Sequence, residues 1–163
     1  MKICNNKRKK ESCNFWLRLS PIQFAFIILK HNRFIMEADN NTSLYDRLGK
    51  LEGITALVDD IIDAHMNNPV VKARFLPLKD DPVHFEEVRL HLITFLASGS
   101  GGPEAYTGKD MLTAHRGMNI SEAEYMNVVD DILSVLDKHG KDEETKKDIL
   151  AIAYSLKEQM IRV

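Results

Sequence analysis

"GGPEAYTGKDMLTAH" occupies residues 101–115 of a chain whose other segments carry helical periodicity. Two glycines and a proline stop whatever precedes them, because glycine loosens the backbone and proline has no amide hydrogen to donate. A tyrosine and a third glycine follow, and a short polar run then delivers a single histidine, His115. This order predicts a loop of about ten residues that collapses into one or two helical turns ending near His115. Arg116 and Gly117 close the turn.

On both sides of that stretch the pattern is helical. Ser43, with Asp46 three residues on, has the capping-box spacing in "SLYD". Ile54, Leu57, Val58, Ile61, Ile62 and His65 recur at i, i+3, i+4, i+7, i+8 and i+11, one face of an amphipathic helix. "NNP" at 67–69 ends it, and Val71 and Phe75 lead into Pro77 as a turn or short helix. Asp81 caps and Pro82 opens the next helix, over 81–98. Its apolar face is Phe85, Val88, Leu92, Phe95 and Leu96, with His84 and His91 at the margins. Ser121 and Glu124 form a second capping box. The helix they start carries Tyr125, Val128, Val129, Ile132, Leu133 and Leu136 as its stripe and ends at His139 and Gly140. A last helix, over 142–161, turns Ile149, Ile152, Ala153, Leu156 and Met160 inward. No strand, repeat or low-complexity tract is visible, so the fold class is all-α.

At 163 residues, 44% hydrophobic and 28% charged, the chain has the composition of one globular domain with a real core. Its charge is unevenly spread. Residues 1–35 hold eight of the 22 basic residues and one of the 24 acidic ones, Glu11. The remainder therefore holds 14 basic and 23 acidic residues, a net charge of −9, which argues against nucleic-acid binding. Cys4 and Cys13 are the only cysteines and both lie in the basic leader, so the body has neither a disulfide framework nor a thiolate metal site. That suits a reducing compartment, and the expected location is the cytoplasm.

"NKRKK" and the later "FAFIILK" have the charged and apolar character of a signal peptide, yet the apolar run is short and Pro21 precedes it. It is also too short to span a bilayer. Residues 1–42 read as a basic, disordered or peripheral extension, with Met36 the natural start, and 43–163 as the domain. A targeting leader is the other reading.

Little in the body points to catalysis. It has no nucleophile elbow, phosphate loop or His-Glu-x-x-His helix, and Glu86–Glu87 and Asp130–Asp131 read as solvent-facing charge. Six histidines remain. His65 and His139 read as helix-end residues, and His31 belongs to the leader. His115 stands apart because it follows a glycine-rich segment. Alone, such a histidine is a surface residue, a satisfied core residue or a ligand; an apolar pocket facing it would favour haem, a large apolar plate held by one neutral imidazole.

"SLYDRLG" at 43–49 and "GGPEAYTGKDMLTAHRGMNIS" at 101–121, with the helix order between them, resemble the truncated haemoglobins, class I above all. The resemblance spans residues 43–161 and implies a two-over-two helical sandwich around haem b. It makes His115 the proximal iron ligand, one ring nitrogen on iron and the other donating to a carbonyl. It sets Phe75 against the haem face, Tyr106 and Met111 on the loop side, Lys109 near a propionate, and Ile120, Tyr125 and Val128 along the proximal wall.

The distal side departs from the family. Where many relatives have a tyrosine, this chain has Ile62, beside Ile61; where relatives often have glutamines, it has Val88 and Leu92. A distal hydrogen bond stabilises a partly negative oxygen ligand by roughly 1 kcal/mol or more, so an apolar pocket of Ile61, Ile62, Val88 and Leu92 should hold oxygen loosely. His91 matches a position that supplies a sixth ligand in some relatives, and a pocket-rim histidine is the plainer reading.

The resemblance implies a protein that reversibly binds oxygen, carbon monoxide and nitric oxide, rather than an enzyme. Nitric oxide dioxygenation, served by a reductase, is one alternative. Electron transfer or redox sensing through His91-ligated iron is another, and a haem-free helical module is the third.

Overall fold

Seven α-helices follow one another in the computed structural model, which describes residues 42–163: α1 (Leu44–Leu48), α2 (Lys50–Asn67), α3 (Lys72–Phe75), α4 (Pro82–Gly99), α5 (Met111–His115), α6 (Glu122–Lys138) and α7 (Glu143–Leu156). Two 3₁₀ turns, Leu76–Asp80 and Lys157–Gln159, complete the order. The leader, with its cysteines, His31 and the start at Met36, lies outside the described residues. Among the described residues no helix is long and apolar enough to cross a membrane.

The helix starts follow local chemistry. Ser43, Asp81, Ser121 and Asp142 each accept a hydrogen bond from the backbone amide three residues on, satisfying a donor the helix leaves unpaired. At Ser121 the box is reciprocal, Glu124 accepting from the Ser121 amide at 2.9 Å. Asn68 ends α2, donating its amide to the Ala64 carbonyl.

The middle helix α2 packs against α4, α6 and α3, and α6 packs against α7. Leu48, Ile54, Leu57, Val58, Ile62, Met66, Ile93, Ala97, Val135, Leu136 and Ile149 form one buried cluster. Each large side chain in it contributes about 1.5–3 kcal/mol over its exposed state. The α2 face predicted from periodicity is the face that is buried.

Three expectations are corrected. The apolar face of α4 divides in two: Ile93 and Ala97 are buried against α2, with Phe85 and Leu96 beside them. Val88 is half-buried, and Leu92, on the same stripe four residues before Leu96, stays exposed. The last helix stops at Leu156 instead of continuing to Ile161. Ile161 bridges to Ile120, and the Arg162 amide donates to the Ile120 carbonyl at 3.0 Å, so the backbone there is committed to another segment. Asp131 is no solvated charge: it is paired with His65, which is buried where α2 meets α6.

Candidate functional site

A helix of five residues has no stability of its own, so α5 must be held by its surroundings. Asp110 caps it, one carboxylate oxygen accepting from the Thr113 amide at 2.8 Å and the other from the Thr113 hydroxyl at 2.7 Å. Those bonds, the backbone one foremost, hold the Asp110 carboxyl below the usual carboxylate range. His115 ends the helix half-buried, with Nδ1 2.8 Å from the Met111 carbonyl oxygen. A carbonyl can only accept, so the Nδ1 proton is donated, and in the neutral ring Nε2 is the nitrogen with the lone pair.

The turn after His115 is fastened from two directions. Gly117 adopts φ +84°, and its amide and that of Asn119 donate to the Val163 oxygen at 3.0 and 3.4 Å. Arg74 of α3 reaches over to donate to the Met118 carbonyl at 2.7 Å and to Glu124 at 2.8 Å. The Arg74 guanidinium, with the Ser121 amide and hydroxyl, holds the Glu124 carboxyl down at about 2. Neither fastening was read from the sequence. The Asp110 cap could have been found there, because Asp directly before the apolar Met111 and Leu112 is a helix-start signal.

The loop between α4 and α5 is pinned at its start and folded on itself further along. The Tyr45 amide donates to the Ser100 carbonyl at 3.0 Å, and the Tyr45 hydroxyl donates to Glu104 at 2.8 Å. Tyr106 is half-buried, its hydroxyl donating to the Lys109 carbonyl at 2.7 Å, and burial pushes its phenol up. A side chain at position 108 would collide with the Tyr106 ring, which is why glycine stands there. Tyr106 meets Phe95 edge-on at 5.2 Å and His91 edge-on at 6.1 Å. This contact joins the loop to the side of α4 that carries Val88, His91, Leu92 and Phe95.

The remaining residues singled out from the sequence fall into two groups. Ile62 is buried and Ile61 half-buried in the central cluster, and Phe75 packs against the same cluster. On the other flank Ile120 and Val128 are half-buried, while Tyr125 is buried with its hydroxyl donating to the Ala153 carbonyl. Met111 is half-buried, whereas Lys109 and His91 are exposed. Positions 61, 62, 88 and 92 present hydrocarbon only.

Among the described residues no three His, Cys, Asp or Glu side chains converge to hold a bare metal ion. A lone imidazole with one free nitrogen suffices only for a metal already held by its own macrocycle. Five large apolar side chains also stay more than a third exposed on α4, on α5 and just after it: Val83 (72%), Leu90 (55%), Leu92 (38%), Leu112 (37%) and Met118 (38%). The donor chemistry and the uncovered apolar surface both fit haem.

Comparison with known proteins points the same way. The model of the family described as "Bacterial-like globin" matches residues 43–162. The group 1 truncated hemoglobin LI410 of Chlamydomonas moewusii is 26% identical over 123 residues, 74% of this chain and 69% of that protein. In structure, the truncated hemoglobin of Tetrahymena pyriformis in its Fe(III) form is similar with a TM-score of 0.68 at 21% identity, over 75% of this chain and 100% of that one. The group II truncated hemoglobin of Bacillus anthracis gives 0.64 at 17% identity, over 77% and 95%. These two structural likenesses are likenesses of fold.

Proposed function

The chain belongs to the bacterial-like globin family, as a truncated haemoglobin, and from that premise we propose that it carries haem b on His115 and reversibly binds diatomic gases. The observation that carries the reading is the 2.8 Å contact from His115 Nδ1 to the Met111 carbonyl oxygen. In the neutral ring it selects the tautomer whose Nε2 carries the lone pair, the form a haem iron requires. Haem, when bound, supplies an iron whose free coordination position takes oxygen, carbon monoxide or nitric oxide.

The chain's own residues supply the rest. The Asp110 cap and the two fastenings of the following turn keep the imidazole aimed. Leu92, Met111 and Tyr106 offer apolar surface to the macrocycle, Phe75 presses on its face, and Ile120, Tyr125 and Val128 back the proximal side. Lys109 lies free to reach a propionate. Ile61, Ile62, Val88 and Leu92 offer a bound gas no hydrogen bond, which favours fast release over storage. That surface disfavours nitric oxide dioxygenation, which needs oxygen retained and a reductase to restore ferrous iron. A body without cysteine suits the cytoplasm.

A specific contact supports a second reading: His91 stands one residue before Leu92 with its ring near Tyr106. As a sixth ligand it would make the protein an electron carrier or redox sensor. The visible spectrum of the haem-loaded ferrous protein without oxygen decides between them. One broad band means five-coordinate iron and gas binding; two sharp bands that vanish in His91→Leu mean a His91-ligated iron. A chain that takes up no haem would overturn the proposal.

A further inference from the structure

Among the described residues His65 is the one histidine fully buried, 4% exposed, and the function above gives it no task. Its Nδ1 lies 2.9 Å from an Asp131 carboxylate oxygen on α6. Asn68 donates its side-chain amide to both oxygens of that carboxylate at 3.0 Å. Asn68 also orders the turn into α3: its side-chain oxygen accepts from the Val70 amide at 3.0 Å, and its carbonyl accepts from Val71 and Lys72 at 3.2 and 2.8 Å. On its other side the His65 ring stacks on Phe75, centroids 4.7 Å apart and planes tilted by 33°. Asp131 thus anchors both the ring behind Phe75 and the turn that delivers Phe75.

We infer that His65 is a positioning residue: hydrogen-bonded to Asp131 and seated against Phe75, it sets where that phenyl stands and makes the grip on haem depend on pH. The inference rests on the reading that Phe75 presses on haem. Burial, the larger effect, pushes the His65 imidazole below its ordinary value, and Asp131 pulls it part of the way back. Asp131 is the only charged group from α6 that bears on it. On α3, Arg74 is committed to Glu124 and Met118, and Lys72 is exposed. On α4, Arg89 pairs with Asp59 and Glu86. The closed arrangement therefore binds fewer protons than an opened one in which water reaches the ring. Acid favours the opened one, and Phe75 loses its backing.

The test is the rate at which the full-length ferric haem protein gives up haem to excess apomyoglobin, followed from about pH 7.5 to about 5.5, across the ordinary histidine range. In the wild type the rate should rise about fivefold, inside the limit of about tenfold per pH unit set by one proton. His65→Gln, which cannot titrate, should flatten the rise to within about twofold. Asp131→Asn keeps the shape but removes the charge that favours the imidazolium, so the buried ring is held further below its ordinary value and the rise over the same range should be larger than in the wild type. Far-UV circular dichroism at neutral pH checks each fold, and if His65→Gln does not fold, Asp131→Asn decides alone. A flat wild-type profile, or variants that keep the wild-type profile, overturns the inference while leaving haem binding intact. A wild type that takes up no haem overturns both, so the two failures are told apart.

Discussion

At the scale of the residue, the proposed iron ligand His115 has one nitrogen already engaged by the Met111 carbonyl, and its loss should be repairable from outside. His115→Gly leaves a gap of the right shape. The variant should fail to develop the Soret band of the wild type on haem titration, and added imidazole should restore it. Leu92 is the place to test the apolar distal side. The sequence singles out Ile62 equally, but Ile62 is 5% exposed inside the central cluster. Forcing tyrosine into it would cost about 1–3 kcal/mol of overpacking. Leu92 is already open, so Leu92→Gln gains a donor without disturbing the core. One hydrogen bond of about 1 kcal/mol should slow oxygen release roughly fivefold, measured by stopped flow. An unchanged rate would mean that a polar group there does not reach the bound gas.

Elements in this protein are started by local chemistry and aimed by distant partners. The cap at Ser43, the capping box at Ser121 and the stop at Asn68 are legible because each lies within a few residues. The bond from Arg74 to Glu124 spans 50 residues and has no local signature. It joins the helix that bears Phe75 to the start of α6 and to the turn behind His115. Glu124 titrates at about 2 in the fold against an ordinary 4.5. A lowered carboxylate adds stability that is complete above the ordinary value and is lost as the pH falls from there toward the folded one. Glu124→Gln should therefore flatten the loss of urea resistance between about pH 5 and about pH 3, while lowering stability at neutral pH. Equal slopes in variant and wild type would show that Arg74 does not hold this carboxylate in solution.

For the whole molecule, the proposed cover of haem over the exposed Leu92, Leu112 and Met118 would tie stability to the cofactor. A ligand bound only by the folded state stabilises it by about 2.7 kcal/mol at a hundred times its dissociation constant. Haem loading should raise the Tm by several degrees, and His115→Gly should lose that gain until imidazole is added. The family match begins at residue 43, so a chain started at Met36 should take up haem with the affinity of the full chain. A loss of affinity in the Met36 chain would assign residues 1–35 a part in the site.

The sequence by itself determined the helices, their caps, the loop that interrupts them and the one histidine that the loop delivers. Each depends on contacts within about one or two turns, where periodicity, capping residues and glycine act directly. The all-α class and the family likeness follow from that local order. Tertiary structure alone decided which apolar residues of α4 are core and which stay open, that the chain after Leu156 leaves the helix to meet Ile120, and that Asp131 and His65 pair inside the protein. The last two outcomes hang on partners 41 and 66 residues away. A side chain's charge state and exposure are set by whichever surface finally packs against it, and no local pattern records that surface.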